Sequence, residues 1–224
     1  MWTDLSKYIK DKKVLEIGCG AGQKTFNIAK YANIVVGIDV SKENIDAAKR
    51  VFANNRKVSF LTLDASRMNF ESNSFDVVIT TDSFHEIEPN LQYSVLEEMR
   101  RLSKVIIFIE PDPVSVTNEL FRVFDKDENH GLRITNSINK VFNYMNDNGY
   151  LLKKTNDYND ITTFKNEEEM YETLLDWWSD IKVPKDINEK NIMIKKIRDI
   201  LSDFNMLEEM KIIEKIHYYV FIKE

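Results

Sequence analysis

Three glycines follow the apolar run at residues 14–17, in the stretch Gly18-Cys19-Gly20-Ala21-Gly22. Glycine lets the backbone approach a ligand closely, because no Cβ intervenes and positive φ is available. A dinucleotide fingerprint, G-x-G-x-x-G, would need a glycine where this chain has Gln23. Glu16 lies two positions before the first glycine, and its carboxylate would repel a pyrophosphate. The pattern therefore favours a ligand with a cationic or amine group over a dinucleotide.

Two further acidic residues follow apolar runs. Asp39 ends the second run, 19 residues after Gly20, and a carboxylate there can accept hydrogen bonds from both hydroxyls of a ribose. Asp64 and Ala65 follow the third run, where a carboxylate and a backbone N–H can contact an adenine edge. Open α/β sheets bind ligands beyond the carboxyl ends of their strands. The three positions together predict groups for an amino acid, a ribose and an adenine.

The elements that must position these residues alternate along the first half of the chain, which predicts a parallel sheet with crossover helices. Strands are predicted at residues 13–17, 34–39, 58–63, 75–80 and 105–110, and helices at residues 22–31, 41–52 and 91–102, with Ser41 as an N-cap. In the second half, helices are predicted at 137–148, 166–181 and 188–207, and closing strands at 150–154 and 216–222.

The sequence resembles the class I S-adenosylmethionine-dependent methyltransferase family. The stretch from Val14 to Gly22 is similar to the family's glycine motif, Asp39 to its ribose-binding acid and Asp64-Ala65 to its adenine-side position, while Phe75-Asp76-Val77-Val78 resembles its fourth-strand motif. The resemblance implies an α/β fold: a seven-stranded, mostly parallel Rossmann-like sheet whose last strand is antiparallel, with helices on both faces and helical cap insertions.

The resemblance also implies a cofactor and a set of site residues. The cofactor is S-adenosyl-L-methionine, and the product is S-adenosyl-L-homocysteine. The implied cofactor-binding residues are Glu16, Gly18, Cys19, Gly20, Gly22, Asp39, Val40, Asp64, Ala65 and Thr80. The loop after the fourth strand is where the family places residues near the transferred methyl. There His85 is the candidate general base, because imidazole titrates near neutrality, with packing or cofactor contact as the other interpretation. Asp82 is the candidate for orienting the acceptor.

Composition and missing motifs bear on the partners. A net charge of −6 disfavours nucleic acid, whose binding depends on neutralising phosphates. The single cysteine, Cys19, leaves no thiolate cluster for a metal and no thiolate nucleophile near the acceptor. With no secretory leader and no run of about 20 apolar residues for a membrane helix, we expect a soluble, cytoplasmic protein. Thr81-Asp82-Ser83-Phe84 stands where the family's Pro-Pro motif for exocyclic amines would lie.

We therefore expect one methyltransferase domain over residues 1–224 that acts on a small-molecule acceptor. The cofactor core comprises about residues 12–110, 136–160 and 213–224, and cap insertions comprise about residues 111–135 and 165–212. Two alternatives remain. In the first, the acceptor is RNA or protein that docks on the lysine- and arginine-rich segment 182–198. In the second, the chain binds the cofactor without catalysis, as a sensor or partner subunit. The residues do not indicate the oligomeric state.

Overall fold

The computed structural model describes residues 1–125, 129–177, 184–208 and 210–224. Its helices are α1 (Trp2–Ile9), α2 (Thr25–Ala29), α3 (Lys42–Val51), α4 (Gln92–Leu102), α5 (Val116–Phe124), α6 (His130–Asp147), α7 (Glu167–Trp177) and α8 (Ile187–Asp203). Its strands are β1 (Lys13–Ile17), β2 (Ile34–Asp39), β3 (Val58–Thr62), β4 (Val77–Thr81), β5 (Val105–Pro111), β6 (Tyr150–Thr163) and β7 (Lys211–Lys223). A short 3₁₀ turn covers Phe84–Glu86.

The strands form one seven-stranded sheet in the order β3-β2-β1-β4-β5-β7-β6. The pairs β1–β2, β1–β4, β2–β3 and β4–β5 are all parallel, and the last strands are antiparallel. β1, β4 and β5 are buried almost throughout, as near-continuous apolar runs in a parallel sheet require. Because β1 to β5 run in the same direction, the residues that follow them meet at one edge of the sheet. The predicted fold class is confirmed.

Local differences from the predicted elements have local causes. α2 begins at Thr25, three residues later than predicted, because Gly22 has φ +93 and bonds back to Cys19 through its N–H. Ser41 is the N-cap of α3, as predicted, and its Oγ accepts the Asn44 N–H at 3.2 Å. β6 and β7 are longer than predicted, and α6 begins earlier. The predicted helix 166–181 is observed as α7, and its residues 178–181 lie outside the described part of the chain.

The chain divides into two compact units. The first contains residues Met1–Glu110, Asn136–Asp157 and His217–Glu224, and its core packs the buried faces of the parallel strands against α4 and α6. The second contains Pro111–Thr135 and Tyr158–Ile216. In the second unit, buried residues of α5, α7 and α8 share one apolar cluster that includes Leu120, Leu174 and Ile197. Among the described residues, no helix is long and apolar enough to cross a membrane.

Candidate active site at the carboxyl edge of the sheet

The loop between β1 and α2 needs its glycines for space and for backbone conformation. Gly18, Gly20 and Gly22 all have positive φ, at +69, +52 and +93. A Cβ on Gly18 would lie 2.5 Å from the Ser83 Cβ, inside any real contact distance. A Cβ on Gly20 would meet only the Gln23 Oε1, at 4.0 Å. The backbone is therefore packed tightly at Gly18 and open at Gly20, where a ligand can approach it.

Asp39, at the end of β2, fixes this loop. Its Oδ2 accepts the Gly20 N–H at 2.9 Å, and its Oδ1 accepts the Ser41 N–H at 2.8 Å. Each carboxylate oxygen has a second lone-pair direction, so these bonds leave acceptor capacity for a ribose. The next residue, Val40, is an apolar side chain that is 73% exposed. An acid and an exposed aliphatic group thus stand side by side next to the open part of the glycine loop.

Glu16 faces the interior of the protein. It is fully buried, and its Oε2 and Oε1 accept the hydroxyls of Thr25 at 2.5 Å and Thr81 at 3.0 Å. Burial raises the pKa of Glu16 to about 7, and the two hydroxyls and the Lys24 charge oppose that rise only in part. The structure therefore gives both oxygens of Glu16 to a brace between β1, α2 and β4, whereas the sequence placed Glu16 around the methionine part of the cofactor.

Cys19 also turns inward. Its side chain is 5% exposed and belongs to an apolar cluster with Ile45, Phe52 and Phe60. Burial raises the pKa of the thiol, so Cys19 is a neutral apolar group below the glycine loop. The backbone of Cys19 also contacts the neighbouring strand, through an N–H donated to the Ile38 carbonyl at 3.0 Å.

The end of β3 is connected to the end of β2, because the Leu63 N–H donates to the Asp39 carbonyl at 2.9 Å. Beyond it, Asp64 Oδ1 accepts both the N–H and the hydroxyl of Ser66, at 2.8 and 2.7 Å. These bonds hold the pKa of Asp64 below its usual value, so the group is a carboxylate at neutral pH. Ala65 is partly buried against the main core. The pair lies at the same sheet edge as Asp39, as predicted from the strand pattern.

The end of β4 carries two buried polar atoms that have no hydrogen-bond partner among the described residues, Thr80 Oγ1 and Asp82 Oδ1. Asp82 has φ +50, an unusual conformation for a non-glycine residue, and its N–H donates to the Ile109 carbonyl at 2.8 Å. Its Oδ2 lies 3.3 Å from the Lys24 Nζ. Burial raises the pKa of Asp82 while the Lys24 charge opposes the rise. A strained backbone with an unsatisfied carboxylate oxygen is typical of a ligand-binding position.

His85 is 3% exposed and lies between two carboxylates. Its Nδ1 is hydrogen-bonded to Glu110 Oε2, and its Nε2 lies 3.0 Å from Glu86 Oε1. Burial alone would lower the pKa of His85, but Glu110 and Glu86 together raise it to about 10. Glu110, itself 2% exposed, also accepts the Phe84 N–H at 3.0 Å. This arrangement does not favour the general-base role suggested by the sequence, because a base needs a free lone pair near neutral pH.

Comparison with known proteins shows which family the parallel part of the sheet resembles. Residues 14–105, the stretch that contains β1 to β4 and the site edge described above, match the family described as "Methyltransferase domain". The part of the chain from β1 to β4 is thus similar to methyltransferase domains, which agrees with the resemblance to the class I S-adenosylmethionine-dependent methyltransferase family. The match ends where β5 begins, so this similarity rests on the parallel half of the sheet.

Individual relatives show the same similarity. A ubiquinone biosynthesis O-methyltransferase from Bartonella tribocorum is 32% identical over 89 residues, which are 39% of this chain and 36% of that protein. One from Rickettsia bellii is 24% identical over 221 residues, covering 96% of this chain and 77% of that protein. The chain thus aligns with little more than a third of the length of the Bartonella relative. The YcgJ protein from Bacillus subtilis has the same fold, with a TM-score of 0.67, 16% identity and coverage of 100% and 98% of the two chains.

Sequence reasoning missed the groups that support the candidate site. One is Lys24, which pairs with Asp82, and another is Thr25, whose hydroxyl donates to Glu16. The third is Ser83, whose hydroxyl donates to the Ile17 carbonyl at 3.0 Å. One signal was available. A charged residue inside the apolar run Val14-Leu15-Glu16-Ile17 must be buried with hydrogen-bonding partners, and threonine or serine hydroxyls at neighbouring strand ends can supply them.

Proposed function

We propose that this chain transfers the methyl group of S-adenosylmethionine to a small-molecule acceptor. The observation that carries the proposal is the convergence of three features at one sheet edge. The open glycine loop, the Asp39 carboxylate that is hydrogen-bonded to it, and the loop with Asp82 and His85 follow β1, β2 and β4, which are parallel neighbours. The glycine loop can bind one substrate through its backbone, and the neighbouring loop can contact a second substrate through its polar side chains. This arrangement suits a reaction between two substrates.

The residues fit the cofactor. Gly20 leaves its backbone approachable, Asp39 retains acceptor capacity for ribose hydroxyls, and Val40 offers an exposed aliphatic surface for a flat base. We propose that Gly18, Gly20 and Gly22 shape the methionine side, that Asp39 and Val40 bind the ribose and one face of the base, and that Asp64 and Ala65 contact its edge. Thr80 would supply its unpartnered hydroxyl. Glu16 and Cys19 act indirectly, by holding the loop from below.

The protein's part in the chemistry is mainly alignment. S-adenosylmethionine supplies a methyl group that is already activated by its sulfonium, so the chain needs to place a nucleophile and exclude water. Asp82 Oδ1 is a buried acceptor without a partner among the described residues, and we propose that it orients the acceptor by accepting a hydrogen bond. His85 follows three residues later on the same loop, and we place it at the acceptor end of the site.

The ion pairs of the lysine- and arginine-rich segment 182–198 favour a small-molecule acceptor over RNA. Lys190 pairs with Glu172 at 2.9 Å and also with Glu168, and Arg198 pairs with Glu167 at 2.5 Å. These acids belong to α7, so the lysine- and arginine-rich segment is partly neutralised within its own unit; Lys182 lies outside the described residues. The names of the relatives, ubiquinone biosynthesis O-methyltransferases, also indicate a small acceptor for those proteins.

We propose further that residues 1–224 act as one methyltransferase domain. The two segments of the second unit, Pro111–Thr135 and Tyr158–Ile216, interrupt the sequence of the first unit. The family match ends before both of them, at residue 105. Inserted segments outside a shared core are where members of one fold diverge in substrate, and we assign the choice of acceptor to the helices of these insertions.

The test is transfer of radiolabelled methyl from S-adenosylmethionine to fractions of a cell extract. We expect label in the small-molecule fraction, with less than about twofold loss between about 50 and about 200 mM salt, whereas binding to RNA through several phosphates would weaken by orders of magnitude over that range. Label in the RNA or protein fraction would contradict a small-molecule acceptor and identify RNA or protein as the acceptor. No label in any fraction, with cofactor binding intact, would favour the non-catalytic alternative.

A further inference from the structure

The protonation state of His85 can be derived from its neighbours. Ionised carboxylates accept hydrogen bonds and cannot donate them, and Glu110 faces Nδ1 while Glu86 faces Nε2. A neutral imidazole has one N–H, so one of its nitrogens would then point a lone pair at a carboxylate. The doubly protonated ring satisfies both contacts.

The rest of the first unit keeps this pair fixed. Gln92, which is 2% exposed, donates its Nε2 hydrogens to the Ile87 carbonyl at 3.0 Å and to the Ser137 hydroxyl at 2.8 Å. It thereby pins the 3₁₀ turn that carries His85 and Glu86. On the other side, Glu110 lines a small cavity whose other walls are mainly apolar, including Phe84, Phe108 and Val141. Because that cavity offers Glu110 no cation, His85 is the counter-charge for Glu110 within this unit.

The charges that face His85 within the first unit come from four elements. Glu110 belongs to β5, Glu86 to the 3₁₀ turn and Asp82 to the residue after β4, with Lys24 at the start of α2 paired to Asp82. Burial opposes a charged imidazole, but the acids outweigh it. The positive charge on His85 in turn lowers the pKa of Asp82. Glu110 has the opposite effect and raises the pKa of Asp82, so the charge on His85 offsets part of that effect.

We propose that Glu110 and Glu86 are positioning residues that hold His85 as an imidazolium, and that His85 serves the acceptor site as a charged hydrogen-bond donor instead of a general base. The role in the acceptor site rests on the proposed function, whereas the protonation state does not. Glu110 is the fixed partner because it is buried. The side chain of Glu86 is 49% exposed, so it is the partner that can leave Nε2 when an acceptor with an anionic or lone-pair oxygen arrives.

The protonation state is measured by NMR of the protein with ¹⁵N-labelled histidine. The chain has three histidines, so the spectrum is simple, and His85→Gln assigns the signal. We expect both ring nitrogens of His85 to carry protons from about pH 6 to about pH 8.5, in a ring that titrates only above that range. A neutral tautomer of His85 at pH 7.5 would overturn the proposal, whether or not the protein transfers methyl groups.

Two variants and a control test whether Glu110 and Glu86 keep His85 protonated. Glu110→Gln should lower the midpoint of His85 by at least about one pH unit, and Glu86→Gln by less, because its side chain is partly solvated. Glu88→Gln removes the same charge from an exposed residue of the same loop and should leave His85 unchanged. If Glu110→Gln fails to fold, Glu86→Gln still provides the test. A His85 midpoint equal to wild type in every folded variant contradicts the proposal.

The pH profile of methyl transfer separates a donor from a base. With His85 as the charged donor, kcat/KM stays level from about pH 6.5 to about pH 8.5 and falls when the imidazolium deprotonates, and in Glu110→Gln this fall moves to lower pH. With His85 as a base, kcat/KM rises through an apparent pKa near that of free imidazole. Such a rise, lost in His85→Gln, would overturn the donor role even if NMR detects the imidazolium.

Discussion

Gly18 and Ser83 meet where two site loops cross, the one after β1 and the one after β4. The Ser83 Oγ donates to the Ile17 carbonyl at 3.0 Å, and the Ser83 Cβ occupies the place that a side chain on residue 18 would take. The glycine motif is thus needed for packing between the loops as well as for access of a ligand. Gly20 does not share this requirement, because it has open space beside it.

Gly18→Ala tests this contact, with Gly149→Ala as its matched control. Both glycines have positive φ, +69 and +75, but a Cβ on Gly149 meets nothing within 4 Å. We expect Gly149→Ala to cost about 1–2 kcal/mol in the free energy of unfolding, from backbone strain alone. Gly18→Ala should cost more, and it should weaken S-adenosylmethionine binding at least about tenfold because the two loops must separate. Urea unfolding and calorimetry measure the two effects. Equal costs and unchanged affinity would show that the contact with Ser83 is unimportant.

At the scale of elements, Glu16 connects three of them. Its carboxyl group joins β1 to Thr25 at the start of α2 and to Thr81 at the end of β4. The sequence identified Glu16 as a site residue but could not identify its partners, because they come from residues 9 and 65 positions away.

The brace predicts a pH dependence of stability. Burial raises the pKa of Glu16 from 4.5 to about 7 in the folded protein, so between those values the folded state keeps a proton that the unfolded state has lost. Stability is therefore lost as the pH rises through that range. Glu16→Gln, which resembles the protonated form, should gain stability relative to wild type by up to about 3 kcal/mol between pH 5 and pH 8.

Urea unfolding of both proteins at the two pH values measures this difference. Glu71→Gln is the control, since Glu71 is exposed, and it should follow the wild-type pH dependence. A constant difference between Glu16→Gln and wild type would mean that the Glu16 carboxyl does not titrate in this range.

The buried strands were predicted more accurately from the sequence than the exposed edge strand. β1, β2, β4 and β5 are apolar runs between turn residues, and their positions were predicted to within about two residues. β6 was predicted to end at residue 154 but continues to Thr163. Its polar stretch Thr155-Asn156-Asp157 has no alternating pattern, because β6 lies at the edge of the sheet and is mostly exposed. An edge strand formed by backbone pairing leaves little trace in the sequence.

For the whole molecule, the sequence predicted the sheet and the similarity to methyltransferase domains because the glycine loop and the acids after β2 and β3 depend on local strand–turn signals. The supporting contacts around His85 could not be predicted in the same way. Glu110 lies 25 residues from His85, and only the parallel pairing of β4 with β5 brings the two together. The sequence does not identify the acceptor, because the amphipathic patterns of the inserted helices specify burial and not chemistry.

The most direct test of the central claim is calorimetric titration of S-adenosylmethionine and S-adenosylhomocysteine into wild type and Asp39→Ala, with NAD as a control ligand. Asp46→Ala, which removes a half-buried aspartate of α3 away from the glycine loop, is the control variant. A charge-assisted contact contributes about 1.5–3 kcal/mol, so Asp39→Ala should weaken binding about 10- to 150-fold, while Asp46→Ala binds like wild type and NAD does not bind. Binding of NAD without binding of either adenosyl ligand, or equal affinities in Asp39→Ala and wild type, would contradict the assignment of this edge as the S-adenosylmethionine site.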